Sequence, residues 1–286
     1  MKCKITLLPC VYLCLIGLFG NSLSAQVWAL QKGETNLMLS YSSLQYDQAF
    51  NADGEIVELP VLVRDRTLKL TAQYGITDKL TVEARLPYMM QATEGDPHNY
   101  NSYPDQYLET GTLQALGNVE GGVIYQVYSG KPRITASLFV EAPSGQHNYL
   151  TGLQTGFNSW GFRPGVGVGY GFNSAWLQYY LGTSLRNNAY SHAAVSSLEF
   201  GYKPVDYLYA ALALETRQSF GNGGDCDCTT SATALYQSEQ EYISLTAKAG
   251  FMVDKIGVHL GYATAFYGSE VAAAGVPLIG IQFRSN

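Results

Sequence analysis

The chain has 286 residues, only 14 % of them charged, and a net charge of −6, so it lacks the basic field that gathers nucleic acid. Its five cysteines do not form a disulfide framework, and no apolar run of membrane-helix length occurs beyond the first two dozen residues. The 22 Tyr and 30 Gly favour strands, turns and interfacial aromatics over packed helices.

Residues 1–25 read as an export signal. Lys2 and Lys4 precede an apolar stretch from Ile5 to Phe19, and Ser22-Leu23-Ser24-Ala25 supplies the small residues a signal peptidase accepts before Gln26. Cys3, Cys10 and Cys14 leave with this segment, and Cys226 and Cys228 stay. Without Lys2 and Lys4, 15 basic residues face 23 acidic ones, a formal charge of −8 on residues 26–286.

The first strand is expected over about 35–46. Period-two alternation is clearest at 67–74, where Leu68, Leu70, Ala72 and Tyr74 share one face and Thr67, Lys69, Thr71 and Gln73 the other. After a turn at Gly75-Ile76-Thr77-Asp78 it resumes, with Leu80, Val82, Ala84 and Leu86 opposite Thr81, Glu83 and Arg85. The remaining strands are expected near 117–127, 133–141, 161–171, 175–186, 193–202, 207–216, 241–251, 256–267 and 275–284, which makes twelve. Each approaches the roughly 9–11 residues that cross a bilayer as a tilted strand. Tight turns near 75–78, 129–132, 172–174, 203–206 and 252–255 alternate with longer loops near 47–65, 88–115, 142–159, 187–192, 217–240 and 268–274. That alternation puts both termini on the short-turn, periplasmic side. Tyr74, Tyr128, Tyr170, Tyr202 and Phe251 cluster at the short turns as an interfacial girdle. The fold expected is all-β: a transmembrane antiparallel up-and-down barrel of about twelve strands. A soluble sandwich or propeller could alternate too, but needs neither the aromatic register nor the export signal.

If the apolar phase meets lipid, the other phase lines the lumen. It carries Lys69, Glu83, Arg85, Glu120, Arg133, Glu141, Arg163, Arg186, Glu199, Glu215 and Lys248. Six basic and five acidic residues nearly balance, which favours pairing across neighbouring strands over a solute filter. Gly165, Gly167, Gly169 and Gly171 lie inside a strand and open no helix, so they do not form a phosphate loop. Simple packing is the preferred reading of this row. Space for water, a folded-in loop or the amino-terminal segment is the alternative. Asp225-Cys226-Asp227-Cys228 has no second ligand pair to complete a metal site, and no cofactor is expected. His98, His147, His192 and His259 are not followed at +2 by Ser, and no Gly-x-Ser-x-Gly elbow or His-Glu-x-x-His site occurs, so enzymatic activity is not expected.

The hairpin YGITDKLTVEARLPYM at Tyr74–Met89 and the segment LGNVEGGVIYQV at Leu116–Val127 resemble a bacterial outer-membrane family assigned to the phenol meta-degradation pathway and often labelled a transporter. Asn118 stands where that family's pattern has Asp, and Phe283 is followed by Arg284-Ser285-Asn286 where such barrels commonly end on an aromatic residue. The resemblance implies a Gram-negative outer-membrane barrel that passes small molecules, hydrophobic or aromatic ones among them. Its partners would be membrane lipid and a small solute. A non-transporting surface barrel is the alternative, and an outer-membrane lipid hydrolase a more distant one.

Overall fold

The computed structural model describes residues 27–95, 109–220 and 233–285. The expected signal segment, the Cys226–Cys228 cluster, His98 and the middle of the 88–115 loop lie outside them.

Among the described residues all regular structure is β. The wall begins with β1 (Thr35–Phe50), β2 (Ile56–Thr77) and β3 (Leu80–Glu94). The fourth wall strand is broken into β4 (Thr112–Leu116) and β5 (Glu120–Tyr128), and β6 (Arg133–Glu141) follows. A small separate hairpin, β7 (His147–Asn148) and β8 (Leu153–Gln154), interrupts the next connection. Then come β9 (Gly161–Gly171), β10 (Ala175–Arg186), β11 (His192–Val205), β12 (Leu208–Phe220), β13 (Glu241–Val253) and β14 (Ile256–Ser269). The last wall strand is again broken, into β15 (Val271–Ala272) and β16 (Val276–Arg284). Every neighbouring pair is antiparallel, and β1 pairs with both β2 and β16, so the twelve-stranded sheet closes on itself.

Closure satisfies every ladder group without a free edge, which a wall facing hydrocarbon requires. The side chains follow. Leu39, Leu70, Leu86, Leu138, Phe162, Leu181, Phe200, Leu212, Leu260 and Ile281 are exposed, whereas Thr71, Gln73, Glu83, Glu120, Gln178, Glu199 and Glu215 are buried. A soluble domain has the reverse distribution. Tyr74, Tyr128, Tyr170, Tyr202 and Phe251 are all exposed near the short turns.

Several of the expected loops are shorter than the sequence suggested, whereas those at 142–159 and 187–192 stand nearly where expected. Residues 47–65 form a loop only at 51–55, since β1 and β2 continue past the lipid band. β3 likewise runs to Glu94, β12 to Phe220, and β4 occupies part of the expected 88–115 loop. The cause is an inversion of the alternation. Within the band, Leu68 and Leu70 face out and Lys69 and Thr71 face in. Beyond it Arg64 and Arg66 face out while Val61 (2 % exposed) and Val63 (0 %) are buried inside. Outside the membrane the barrel is a conventional water-facing wall around an apolar core.

Arg placed at a lipid midplane costs about 2–4 kcal/mol. Leu138→Arg is therefore expected to cut the fraction of chain folding into lipid vesicles, read as the mobility shift between unheated and boiled samples, while Leu138→Phe folds normally.

Candidate functional site

The lumen contains a cavity of about 1180 Å³, lined at one end by turn residues such as Asn173, Asp206 and Asp254 and at the other by Leu44, Phe157, Leu235 and Tyr236. It therefore reaches the short-turn rim and stops beneath folded-in segments at the loop end.

Polar pairing builds its wall. From β16, Gln282 Nε2 donates to Asn36 Oδ1 (2.8 Å), Asn36 Nδ2 to Gln73 Oε1 (2.7 Å), and Gln73 Nε2 to Glu83 Oε2 (2.7 Å). Arg85 is paired with Glu83 and lies 2.7 Å from Glu120 Oε1, and Arg163 closes on the same Glu120. Between these two arginines sits the Phe139 ring, 4.8 Å from Arg85 Cζ and 5.5 Å from that of Arg163. The ring fits because position 122 is glycine: a Cβ there would come within 2.3 Å of it. A second network joins Trp28 Nε1 to Gln178 Oε1 (2.7 Å), Gln178 and Trp176 to Glu199 Oε1 (3.0 and 2.9 Å), and Lys248 Nζ to Glu199 Oε2 (2.8 Å). Such pairing offsets the cost of holding charge away from bulk water.

The inner wall also carries Lys69 and Glu215, with Glu215 buried behind the cavity surface. Arg133 lies at the turn-end rim, exposed, its guanidinium 5.5 Å from the Trp28 ring. Asp65 and Arg217 line the cavity as well, although neither was expected there. Both fall just past the expected strand ends, and carrying the same alternation two residues further would have placed them inward.

The amino-terminal segment turns into the lumen. Val27 is 2 % exposed, and Leu30 N donates to Thr81 Oγ1 (2.8 Å). The glycine row thus does more than pack simply. A Cβ at Gly169 would lie 2.5 Å from Val27 Cγ1 and 2.9 Å from Trp28 Cζ2, so these glycines make the recess that the segment fills.

The loop end is closed by residues 142–160 and 233–240. Leu153 (0 % exposed) and Leu235 (4 %) pack with Leu44, Tyr46, Val63, Val271 and Val276. Gln154 Nε2 donates to the carbonyls of Leu235 (2.9 Å) and Tyr236 (3.2 Å), and Thr233 Oγ1 donates to Gly152 O (2.8 Å), which ties the two segments together. Burial, with Asp65 nearby, pushes the Tyr236 phenol well above its ordinary pKa, so it stays neutral and its hydroxyl lies 3.1 Å from Met89 Sδ. Of the long loop expected over 88–115, residues 96–108 lie outside the described residues.

Two residues latch segment 142–160. In the gap between β4 and β5, Asn118 Nδ2 donates to Glu141 Oε1 (2.7 Å) and Phe157 O (2.8 Å), and Asn118 Oδ1 accepts from Gly145 N (3.1 Å). Arg186 grips Glu141 with both terminal nitrogens (3.1 and 2.8 Å), donates to Ser159 Oγ (3.1 Å), and stacks 3.8 Å from the Phe157 ring. Asparagine suits this place because an aspartate could donate neither bond and would face Glu141 with like charge.

Of the histidines, His192 Nδ1 accepts from Arg186 N (3.2 Å), His147 stacks on Tyr149 at 3.9 Å, and His259 is buried on the inner wall. Neither His192 nor His259 bonds a serine among the described residues. Among those residues no cluster of three or more metal-ligating side chains occurs.

Removing one partner of a buried ion pair costs about 3–5 kcal/mol. Arg186→Ala is expected to free segment 142–160, seen as rapid proteolytic cleavage there while the barrel core stays resistant. Asn118→Asp should act in the same direction more weakly.

The family model described as "Putative MetA-pathway of phenol degradation" matches residues 56–202, just over half the chain. No curated protein matches. Among solved structures, an outer-membrane channel from Pseudomonas putida F1 is similar over 94 % of this chain and 100 % of its own, with 15 % identity and a TM-score of 0.70. The NanC porin is similar over 87 % of this chain and 98 % of its own, with 8 % identity and a TM-score of 0.50. Together with the closed barrel, these likenesses place the chain in the outer membrane of a Gram-negative bacterium.

Proposed function

We propose, from the premise that the chain belongs to this phenol-degradation family of outer-membrane barrels, that it is a passive channel for small molecules, including hydrophobic and aromatic ones. The observation that carries the reading is the lumen cavity. It is roomy enough for compounds of one or two rings, and Trp28, Trp176, Tyr209, Tyr242 and Phe157 offer flat apolar surface beside the polar wall. Aromatic walls let an apolar solute shed water without a deep well that would trap it. The solved channel and porin that share the fold support the same reading.

Movement through the lumen needs the latched segment 142–160 to yield. The closed loop end also supports a second reading, a surface barrel that transports nothing. Flux separates the two. Liposomes containing the protein should take up phenol-sized solutes faster than empty ones, and shortening residues 146–155 should raise both uptake and single-channel conductance. If neither the intact chain nor the shortened one passes ions or solutes, the channel reading fails and the surface reading stands.

A further inference from the structure

The lumen charges are unevenly satisfied. Arg85, Arg163, Arg186 and Lys248 are each paired with a carboxylate, and together they engage Glu83, Glu120, Glu141 and Glu199. Lys69 and Arg217 also line the cavity, yet neither forms an ion pair among the described residues. The Lys69 ammonium makes no hydrogen bond there either, and the Arg217 side chain, 5.9 Å from the Phe157 ring, makes one, from Nε to Gln240 O (3.1 Å), which leaves its two terminal nitrogens without a hydrogen-bond partner among the described residues. The two stand on β2 and β12, five strands apart one way around the barrel and seven the other, so they face each other across the lumen.

Of the remaining acids, Asp206 and Asp254 line the cavity at its short-turn rim, and the two nearer the cations do not cancel them equally. Asp65 accepts from Gln91 Nε2 (3.1 Å) and Thr67 Oγ1 (3.3 Å), so it is held by its own wall. Glu215 lies within electrostatic reach of Lys69, but it is 3 % exposed and does not reach the cavity surface. A solute beneath the closing segments therefore meets two cations with hydrogen-bond donors to spare, beside the apolar underside of those segments at Phe157 and Leu235. Unpaired cations facing a restricted aqueous space attract anions more strongly than they would in bulk water.

We infer that the preferred solutes are small monoanions with an apolar body, such as aromatic carboxylates, whose charged group passes between Lys69 and Arg217 on opposite walls. This rests on the channel reading and narrows it. The carboxylate would exchange water for charge-assisted hydrogen bonds from either cation, and its ring would lie against the aromatic wall. Two stations on facing walls keep each contact weak enough for release.

The test uses the full chain in planar bilayers and, separately, in detergent. Under a KCl gradient the reversal potential should show anion preference. Benzoate at millimolar concentration should reduce the single-channel current, and benzyl alcohol, equal in size but neutral, should not. Lys69→Gln combined with Arg217→Gln should move the reversal potential toward cations and weaken the benzoate effect at least tenfold, whereas Lys69→Arg should preserve both. Heat-modifiable gel mobility confirms that each variant folds. Cation preference in the intact chain, equal effects of benzoate and benzyl alcohol, or an unchanged double variant would overturn the inference. If the intact chain does not conduct, the channel reading falls. Quenching of lumen tryptophan fluorescence by benzoate then decides the site alone: binding lost in the double variant upholds it, and no binding refutes it.

Discussion

A backbone surrounded by hydrocarbon has no water to satisfy its amides, and this one constraint organises the molecule. It forces β1 to pair on both sides, with β2 and β16, and leaves no edge. It also sends every second side chain into lipid, so polar residues can gather only inward. The charged lumen is thus a consequence of closure as much as a device for transport. What distinguishes this chain is how its inward charges are spent.

Most are spent on one another. Glu120 serves both Arg85 and Arg163, and the Phe139 ring fills the interval between those guanidinium groups. Buried ion pairs give little net stability, but they fix geometry by penalising every arrangement that breaks them. On this wall they hold the strands in register and keep the passage from filling with mobile side chains. Glu141 extends the same logic to the mouth: through Asn118 and Arg186 it binds a segment that is not part of the wall. Wall and closure are therefore one polar network, and a change at Glu141 is felt in both.

The barrel itself was legible because the alternation of Leu68, Leu70, Ala72 and Tyr74 with lysine and threonine recurs along the chain together with aromatics at the short turns, a combination that a soluble sandwich does not need. The strand extensions were not legible for the same reason. Past Arg66 the outward residues become polar and the inward ones apolar, so a search for a greasy outer face stops where the lipid does. Asp65 and Arg217 were missed at those false ends. The closing segments were hidden differently. Leu153 and Leu235 lie outside the alternating stretches, and only tertiary folding brings them against Val63 and Val276. The glycine row was expected to pack simply, with the amino-terminal segment only one of the alternatives, and it is Val27 and Trp28 of that segment that fill the recess.

The two ends of the lumen are closed by different means, and the difference bears on function. At the short-turn end the amino-terminal segment lies along a glycine-lined recess, held by contacts such as Trp28 with Gln178 and Leu30 with Thr81, and the cavity still reaches the rim. At the loop end an apolar cluster is locked by a bidentate arginine and a three-bond asparagine, and the cavity ends beneath it. An apolar cluster capped by charge-assisted bonds opens only when several contacts yield together, because each polar group left buried without its partner raises the cost of a partial opening. The outer closure should therefore behave as a two-state element and not as a graded filter. A solute able to wet both its apolar underside and the free cations below it can bias that equilibrium, whereas one that touches neither cannot.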